Sequence, residues 1–354
     1  MNLLEINGNN IFTIIIVTFI TSAILVPIMK TVAVHVNAMD YPNERKVHKK
    51  PMPRLGGVAI FLSFLVGYML FANGSVRMLS ILIGSFVIVL MGIFDDINPI
   101  KARYKFIIQI IAACITTFYG NIVLNDISLF GLNLSFPEPL NYIVTVFIVI
   151  SITNAMNLID GLDGLASGIS CIYFGTIAII AGILNNTGGL DVILALIMLG
   201  ATLGFLVYNF PPATIFMGDS GSQFLGFIIA IISLLGFKGT TITSLIVPLL
   251  ILAIPIFDVV LAIFRRLIRG NGIMKADKEH FHHQLLKMKF SQRKTILIIY
   301  FINFIFAAVS IFYVLGDNQI AIVIYIILMI ALLFFVLKTD ILFDHHKNDN
   351  TKNK

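Results

Sequence analysis

Charged residues are scarce in this sequence of 354 residues. Asp, Glu, Lys and Arg make up only 12% of it, about half the fraction that is usual in soluble globular proteins. Hydrophobic residues make up 58%, and the mean hydropathy is +0.98. This composition excludes a soluble globular domain and gives no support to nucleic-acid binding. The sequence predicts an integral membrane protein.

Cysteine and tryptophan are rare as well. The chain has two cysteines and no tryptophan. Cys114 and Cys171 both lie inside apolar runs, so their number and placement exclude a disulfide framework and argue against a cysteine-based metal site. The lack of tryptophan beside many Ile, Phe, Asn and Lys residues is typical of AT-rich coding bias, which favours a Gram-positive source.

Long apolar runs are abundant, and a run of about 17–25 residues can cross a bilayer as one helix. Eleven runs lie near residues 11–34, 57–72, 78–94, 106–123, 140–155, 167–184, 190–208, 222–237, 241–264, 295–315 and 319–338. We therefore predict an all-α integral membrane protein with about eleven transmembrane helices. One polytopic domain is expected over residues 1–340, followed by a polar tail at 341–354.

The basic residues are distributed unevenly between the two faces that eleven spans create. Of 24 Lys and Arg residues, only Arg77 and Lys238 fall on one face, which leaves 22 on the other. Short loops rich in Lys and Arg stay in the cytoplasm. The sequence thus predicts an outer N-terminus and a cytoplasmic C-terminus. The loops with acidic, His and Gly-rich segments all share the cytoplasmic face, so a cytoplasmic active site in the cell membrane is predicted.

Three acidic residues at predicted helix ends suit a divalent cation. Asp95 and Asp96 end the third run, where adjacent carboxylates repel each other and a helix dipole disfavours anions. Mg²⁺ prefers oxygen ligands of this kind, although a solvated helix end is the alternative. Asp219, flanked by Gly218 and Gly221, fits either a helix N-cap or a metal ligand beside a phosphate that the glycines allow to approach.

The segment NLIDGLDGLASG, which begins at residue 157, places carboxylates in apolar surroundings. Asp160 and Asp163 would share one face if the segment were helical. A carboxylate at mid-bilayer costs about 2.5–3.5 kcal/mol, so water, a cation or a sugar is the expected partner of Asn157, Asp160 and Asp163. A capped turn before the next span is the alternative. Asn209, which precedes Phe-Pro-Pro, is expected in a rigid non-helical turn.

Three histidines lie within the four residues His280-Phe281-His282-His283. Zinc-binding helices usually place ligands at i and i+4, and no cysteine is near. These imidazoles, close to Asp277 and several arginines, suit hydrogen bonding to a nucleotide diphosphate. A basic helix on anionic lipid is the alternative, but it accounts for the Lys and Arg residues and not for the histidines.

Five motifs occur in order across nearly the whole chain. They are PNERKVH with PRLGG, the Asp95-Asp96 pair followed by Arg103, Lys105 and Gln109, NLIDGLDGLA, FMGDSGS, and HFHH. Together they resemble the polyprenyl-phosphate N-acetylhexosamine-1-phosphate transferase family, of the glycosyltransferase 4 type. The last loop, DKEHFHHQLL, is similar to the WecA/TagO-like branch and differs from the MraY type.

The resemblance implies a single membrane-embedded transferase domain that needs Mg²⁺, for which Mn²⁺ could substitute. Its implied reaction moves N-acetylglucosamine 1-phosphate from UDP-GlcNAc to undecaprenyl phosphate and releases UMP. This would be the first membrane step of an envelope polymer, such as the wall teichoic acid linkage unit. Membrane lipid is the implied surrounding, and a homodimer fits the resemblance.

The resemblance and the residue chemistry together assign roles to fourteen residues. Asp219 and Asp95 are expected to bind the metal, and Asp95 and Asp96 are the expected catalytic pair, one of them orienting or deprotonating the lipid phosphate. The remaining residues are expected to bind substrate: Arg45, His48, Arg103, Lys105, Asn157, Asp160, Asp163, Asn209, His280, His282 and His283.

Three other functions compete with this interpretation. An MraY-type enzyme would use UDP-MurNAc-pentapeptide, but the last loop is spelled differently. A CDP-alcohol phosphatidyltransferase needs an arginine shortly after its Asp-Gly pair, whereas Asp163-Gly164 precedes Leu-Ala-Ser-Gly. A secondary transporter would place charges inside its spans, and here only His35, Asp191 and Asp258 come near that description.

Overall fold

The computed structural model describes residues 5–6, 8–42, 50–129, 132–184, 189–235, 246–268 and 281–338. These parts of the chain are mostly helical. The helices are α1 (Ile11–His35), α2 (Gly56–Phe71), α3 (Val76–Ile97), α4 (Ala102–Cys114), α5 (Leu140–Ile159), α6 (Leu165–Ile183), α7 (Leu190–Asn209), α8 (Gly218–Leu235), α9 (Ile246–Ile251), α10 (Ala253–Ile268), α11 (Phe281–Lys287), α12 (Gln292–Leu315) and α13 (Asn318–Lys338). A π-helical turn, Ile115–Tyr119, continues α4.

Three short antiparallel hairpins accompany the helices. They pair β1 (Glu5–Ile6) with β2 (Asn9–Asn10), β3 (Met39–Asp40) with β4 (Met52–Pro53), and β5 (Asp126–Leu129) with β6 (Leu132–Ser135). In the second hairpin, Asp40 lies opposite Met52, and the Arg54 N–H donates to the Ala38 carbonyl at 3.0 Å. This pairing holds Asp40 and Arg54 side by side.

The multi-pass membrane architecture is confirmed. Within the described residues, eight helices are long and apolar enough to cross a bilayer: α1, α3, α5, α6, α7, α8, α12 and α13. Because no water satisfies backbone groups in hydrocarbon, apolar runs of this length close their hydrogen bonds within a helix. The helix α2 is shorter, and the predicted run at 241–264 contains the two separate helices α9 and α10. The count of eleven and the orientation of the termini stay predictions.

The chain divides into two compact units, Met1–Pro248 and Leu249–Lys354. In the first unit, the nearly fully buried α8 packs against α2, α3, α5, α6 and α7. Phe224 of α8 makes edge-on ring contacts with Phe61 and Phe64 of α2, at centroid distances of 5.4 and 5.5 Å. This packing fixes the start of α8, where the FMGDSGS motif lies.

The second unit contains α10 to α13, in which α12 packs against α10, α11 and α13. Asp258 of α10 accepts a hydrogen bond from the Phe281 N–H at 2.9 Å, at the first residue of α11. The Phe281 ring lies 5.5 Å from that of Phe335 on α13. The predicted domain extent of 1–340 stays a prediction, and the predicted tail at 341–354 lies outside the described residues.

Candidate active site

Three carboxylates from two helices meet at one end of the first unit. Asp95 and Asp96 lie in the last turn of α3, and Asp219 is the second residue of α8. One oxygen from each lies within 4.8 Å of the other two. The same end of the bundle holds the starts of α2, α4 and α6 and the ends of α5 and α7, so the described parts of PRLGG, NLIDGLDGLA and FMGDSGS meet the Asp95-Asp96 pair and Lys105 there. We call Asp95, Asp96 and Asp219 the acidic cluster.

Both oxygens of Asp96 are committed to the start of α8. Its Oδ1 accepts from the Asp219 N–H at 2.8 Å, and its Oδ2 accepts from the N–H and the hydroxyl of Ser220 at 3.1 and 2.8 Å. Helices leave their first N–H groups unbonded, and a capping carboxylate satisfies them. Here that carboxylate comes from a different helix. The capping role considered for Asp219 therefore belongs to Asp96.

The backbone at Gly218 is shaped around this contact. Gly218 has a φ of +71°, in the left-handed region that favours glycine. A Cβ at this residue would clash with the Arg54 carbonyl oxygen and with the Asp96 carboxylate, and one at Gly221 would lie 2.6 Å from the Gly57 Cα. Protein atoms thus fill the space beside both glycines, and the approach of a phosphate to this backbone stays a prediction.

Asp95 has a different environment from its neighbour. Its Oδ1 accepts from the Ile100 N–H at 2.7 Å, and its Oδ2 lies 2.6 Å from the Lys105 ammonium. Among the described residues, Lys105 is thus the side chain that holds the Asp95 carboxylate, and the stem of a lysine is flexible. The adjacent carboxylates are therefore not equivalent: Asp96 is locked to a helix, and Asp95 keeps an oxygen that faces a cation.

Two cations offset the negative charge of the cluster. Lys105 Nζ lies 2.7 Å from Asp219 Oδ2 as well as near Asp95. Arg54 Nη2 lies 3.3 Å from Asp96 Oδ1 and 3.6 Å from Asp219 Oδ1, and its Nη1 lies 3.6 Å from Asp40. Burial lowers the pKa of the Arg54 guanidinium, but the nearby carboxylates, first Asp96, outweigh burial and raise it overall. Arg54 stays charged.

A row of amide side chains extends from the cluster. Gln223 Nε2 donates to Asp219 Oδ2 at 3.0 Å, and Gln109 Nε2 donates to Gln223 Oε1 at 2.9 Å. Asn154 Nδ2 then donates to Gln109 Oε1 at 2.8 Å. The sequence prediction did not assign roles to Arg54, Gln223 or Asn154. The sequence spacing could have indicated two of these amides, Gln223 and Gln109. Gln223 follows Asp219 by four residues and Gln109 follows Lys105 by four residues, a separation that places side chains next to each other on a helix.

The segment NLIDGLDG begins in the last three residues of α5 and continues as the loop 160–164 between α5 and α6. The predicted shared helical face of Asp160 and Asp163 is wrong, because α5 ends at Ile159 and Gly164 has a φ of +78°. Asp163 Oδ2 accepts from the Ala213 N–H at 3.1 Å. Asp160 accepts no hydrogen bond from any described residue and stays partly exposed. Of the two carboxylates, Asp160 is the one left for a ligand.

Asn157 and Asn209 connect the loops to each other. Asn157 Nδ2 donates to Ser222 Oγ at 2.8 Å on α8. The buried Asn209 accepts from the Gly164 N–H at 3.0 Å and from Ser167 Oγ at 2.8 Å, and it donates to the Ile215 carbonyl at 3.0 Å. Asn209 is the last residue of α7, so the predicted non-helical turn begins only after it, at Phe210. Both the amide oxygen and the amide nitrogen of Asn209 bond to protein partners, which makes it a positioning residue.

Three further predicted substrate-binding residues, Arg103, His282 and His283, belong to the described part of the chain. Arg103 is exposed on α4, donates to Tyr104 Oη at 3.0 Å and stacks 4.8 Å from that ring. His282 is buried and His283 half-buried in α11 of the second unit, with ring centroids 4.3 Å apart. Arg45, His48 and His280 lie outside the described residues.

Asp160 provides a pH-dependent test of this geometry. Burial, followed by the charge of Asp219, raises the pKa of Asp160 to about 7. The unfolded chain releases this proton near pH 4, so the folded state holds more protons between these values and its stability falls as pH rises through them. We expect Asp160→Asn to raise the melting temperature at pH 8, with a gain that shrinks towards pH 5.

Thermal unfolding in detergent with EDTA at several pH values measures this difference. Asp163→Ala is the comparison variant: it removes the acceptor for the Ala213 N–H and should lower the melting temperature instead. A gain for Asp160→Asn that is constant with pH, or that grows towards pH 5, would contradict the assignment.

Comparison with known proteins places this site in a family context. The glycosyl transferase family 4 profile matches residues 78–237, which include the whole acidic cluster. The chain is 44% identical over 297 residues, 82% of each chain, to the "Probable undecaprenyl-phosphate N-acetylglucosaminyl 1-phosphate transferase" of Bacillus subtilis. It is 34% identical over 304 residues, 77% of this chain and 74% of the relative, to the "Decaprenyl-phosphate N-acetylglucosaminephosphotransferase" of Mycobacterium tuberculosis. A similar Yersinia pestis transferase is 27% identical over 95% of this chain and 91% of its own length.

Proposed function

We propose, on the premise that this chain belongs to glycosyl transferase family 4, that it transfers N-acetylglucosamine 1-phosphate from UDP-GlcNAc to undecaprenyl phosphate. An oxygen of the lipid phosphate attacks the sugar-linked phosphorus of the donor. The bond from that phosphorus to the bridging oxygen breaks, and UMP leaves. The observation that carries the proposal is the acidic cluster, with Lys105 and Arg54, at one end of a membrane-embedded bundle.

The donor set fits a divalent cation with oxygen ligands. Mg²⁺ binds through one or two carboxylates plus substrate phosphates, and three carboxylates lie within 4.8 Å here. Arg54 and Lys105 are the cations that contact this cluster in the described residues, and a divalent ion would add positive charge beside the same carboxylates. When bound, such an ion neutralises the diphosphate charge that repels the lipid phosphate.

The hydrogen bonds divide the roles between the carboxylates. Asp219 and Asp95 are the metal ligands, because each has an oxygen whose partners are side chains and not backbone groups. Asp96 positions them by holding the start of α8, since both its oxygens already accept backbone or hydroxyl hydrogen bonds. We assign Asp96 no proton transfer. The lipid phosphate, with a second pKa of about 6, is largely dianionic at neutral pH and needs no base.

The substrate-binding assignments follow exposure and charge. Lys105 and the exposed Arg103 are suited to attract phosphate, and Asp160 is suited to bind the nucleotide or sugar through its free carboxylate. Asn157, Asp163 and Asn209 instead hold the surrounding loops. The roles of Arg45, His48, His280, His282 and His283 at the rim, the sugar or the diphosphate remain part of the proposal from the sequence.

The proposed location of the active site depends on the distribution of Lys and Arg among the loops. The Lys and Arg bias favours an active site on the cytoplasmic face of the cell membrane, where nucleotide sugars are available. AT-rich composition favours a Gram-positive source, and we propose that the product starts the wall teichoic acid linkage unit. Chemical analysis of wall phosphate after depletion of the protein would check this pathway. The homodimer stays a prediction.

The donor preference is directly measurable. Purified full-length protein is incubated with undecaprenyl phosphate, Mg²⁺ and either UDP-GlcNAc or UDP-MurNAc-pentapeptide. We expect UMP and a lipid diphosphate-linked N-acetylglucosamine from the first donor, at a rate at least about 100-fold above the second, because an ill-fitting donor leaves buried polar groups unpaired. EDTA should abolish release. No UMP from either donor would reject the transferase assignment, and preference for the pentapeptide donor would reassign the substrate.

A further inference from the structure

The Lys105 ammonium lies between the two carboxylates that the proposed function assigns to the metal. Its Nζ is 2.6 Å from Asp95 Oδ2 and 2.7 Å from Asp219 Oδ2. Both distances are those of charge-assisted hydrogen bonds. The lysine reaches these atoms from the first turns of α4, in a segment separate from both acidic residues. The two oxygens that face the cluster interior are therefore already shared by one cation.

A divalent ion and this ammonium require the same oxygens. Mg²⁺ holds its ligands at about 2.0–2.1 Å, so two oxygens on one ion are separated by roughly 3–4 Å. The cluster oxygens lie within 4.8 Å of one another, so only a small movement of the carboxylates would bring two of them to that separation. An ammonium left between them would lie against the metal, and the two like charges would repel strongly at that distance.

Arg54 occupies a different side of the cluster. It pairs with Oδ1 of Asp96 and of Asp219, at 3.3 and 3.6 Å, whereas Lys105 uses the Oδ2 atom of Asp219. A metal at the Oδ2 side thus leaves the Arg54 contacts in place. The Lys105 side chain is 23% exposed, and its flexible stem gives the ammonium a route out of the cluster.

We propose that Lys105 is the resident counter-ion of the metal-free site and that it and the metal bind Asp95 and Asp219 in mutual exclusion. The inference rests on the proposed function, because it concerns the same metal. Metal entry would expel the ammonium, which then becomes free to pair with a substrate phosphate. A substrate phosphate that pairs with the expelled lysine would keep the ammonium away from Asp95 and Asp219. It would thereby raise the affinity for the metal, since coupling between two binding events is reciprocal. Metal and diphosphate would bind cooperatively.

Metal affinity in the absence of substrate tests the exclusion. The intact protein in detergent is titrated with Mn²⁺, and free Mn²⁺ is followed by electron paramagnetic resonance. We expect Lys105→Met to bind Mn²⁺ about tenfold or more tightly than the parent, because the competing cation is gone. Lys105→Arg, which keeps a cation, should stay close to the parent.

Arg103→Met is the matched control. It removes a positive charge two residues away from a side chain that contacts Tyr104 and no carboxylate in the described residues. Its effect on affinity should be small and should vanish at about 0.5 M salt, where exposed charges are screened. The Lys105→Met gain should persist there. Size-exclusion profiles and melting temperatures establish that each variant is folded, and Lys105→Gln replaces Lys105→Met if the latter is not.

Each result has a distinct meaning. If the parent binds Mn²⁺ and the neutral Lys105 variants bind it equally or more weakly, the exclusion is overturned while the metal site of the proposed function stands. If neither the parent nor Lys105→Met binds Mn²⁺, or if Asp219→Asn binds it as tightly as the parent, the metal is not held by this cluster and both proposals fail.

Discussion

Asp219→Asn is expected to reduce UMP release by about 10³-fold or more. The substitution removes the charge that binds Lys105 at 2.7 Å and pairs with Arg54 at 3.6 Å, and it removes one of the two proposed metal ligands. Losing one group that stabilises developing charge typically costs about 10²–10³ in rate, and loss of metal adds to it. The fold should survive, since asparagine has nearly the same size and keeps an acceptor for Gln223.

The measurements are initial rates with UDP-GlcNAc and Mn²⁺ titration of the same preparation. Asp126→Asn makes the identical chemical change at an exposed residue of β5, remote in sequence from the cluster, and serves as the control. Melting temperatures of both variants should lie near that of the parent. Activity of Asp219→Asn within a few-fold of the parent would remove Asp219 from the metal site.

Gly218→Ala is expected to have the second large effect, this time on the fold of the site. A non-glycine residue at a φ of +71° costs about 1–2 kcal/mol. The added methyl also clashes with the Arg54 carbonyl oxygen and the Asp96 carboxylate, and relieving such overlap typically costs about 1–3 kcal/mol more. The start of α8 must then move, taking Asp219 with it. We expect a melting temperature lower by several degrees and activity lower by at least about 100-fold.

Gly74→Ala is the matched control for this substitution. No atom lies within 4 Å of the position that its Cβ would take, so stability and activity should stay near those of the parent. If Gly218→Ala also retained parental melting temperature and activity, the Asp96 cap would not be the element that places Asp219.

The parts of this structure that follow local sequence rules were predictable. The apolar runs predicted the membrane helices. The carboxylates at the ends of such runs indicated the acidic cluster, because a charged side chain costs free energy at that place. Contacts between distant segments were not predictable in this way. That Asp96 caps α8, more than a hundred residues later, depends on how α3 packs against α8, and nothing in the local sequence distinguishes Asp96 from Asp95.

Arg54 and the NLIDGLDG loop show the same limit. Arg54 lies within the PRLGG motif, but its link to Asp40 depends on the pairing of β3 with β4. The spacing of Asp160 and Asp163 suggested a shared helical face, yet the Asp163 carboxylate accepts a hydrogen bond from the Ala213 N–H on another segment. Periodicity describes a segment in isolation, whereas these side chains are placed by partners on other segments.

The capped start of α8 has a consequence for inhibitor design. Many nucleotide-binding proteins hold phosphate on free N–H groups at a helix start, and phosphate mimics are built to exploit such donors. Here the Asp219 and Ser220 N–H groups already serve the Asp96 carboxylate, so an anionic warhead aimed at them would meet a carboxylate. A basic amine that imitates the Lys105 ammonium between Asp95 and Asp219 is the better starting point for a competitive ligand.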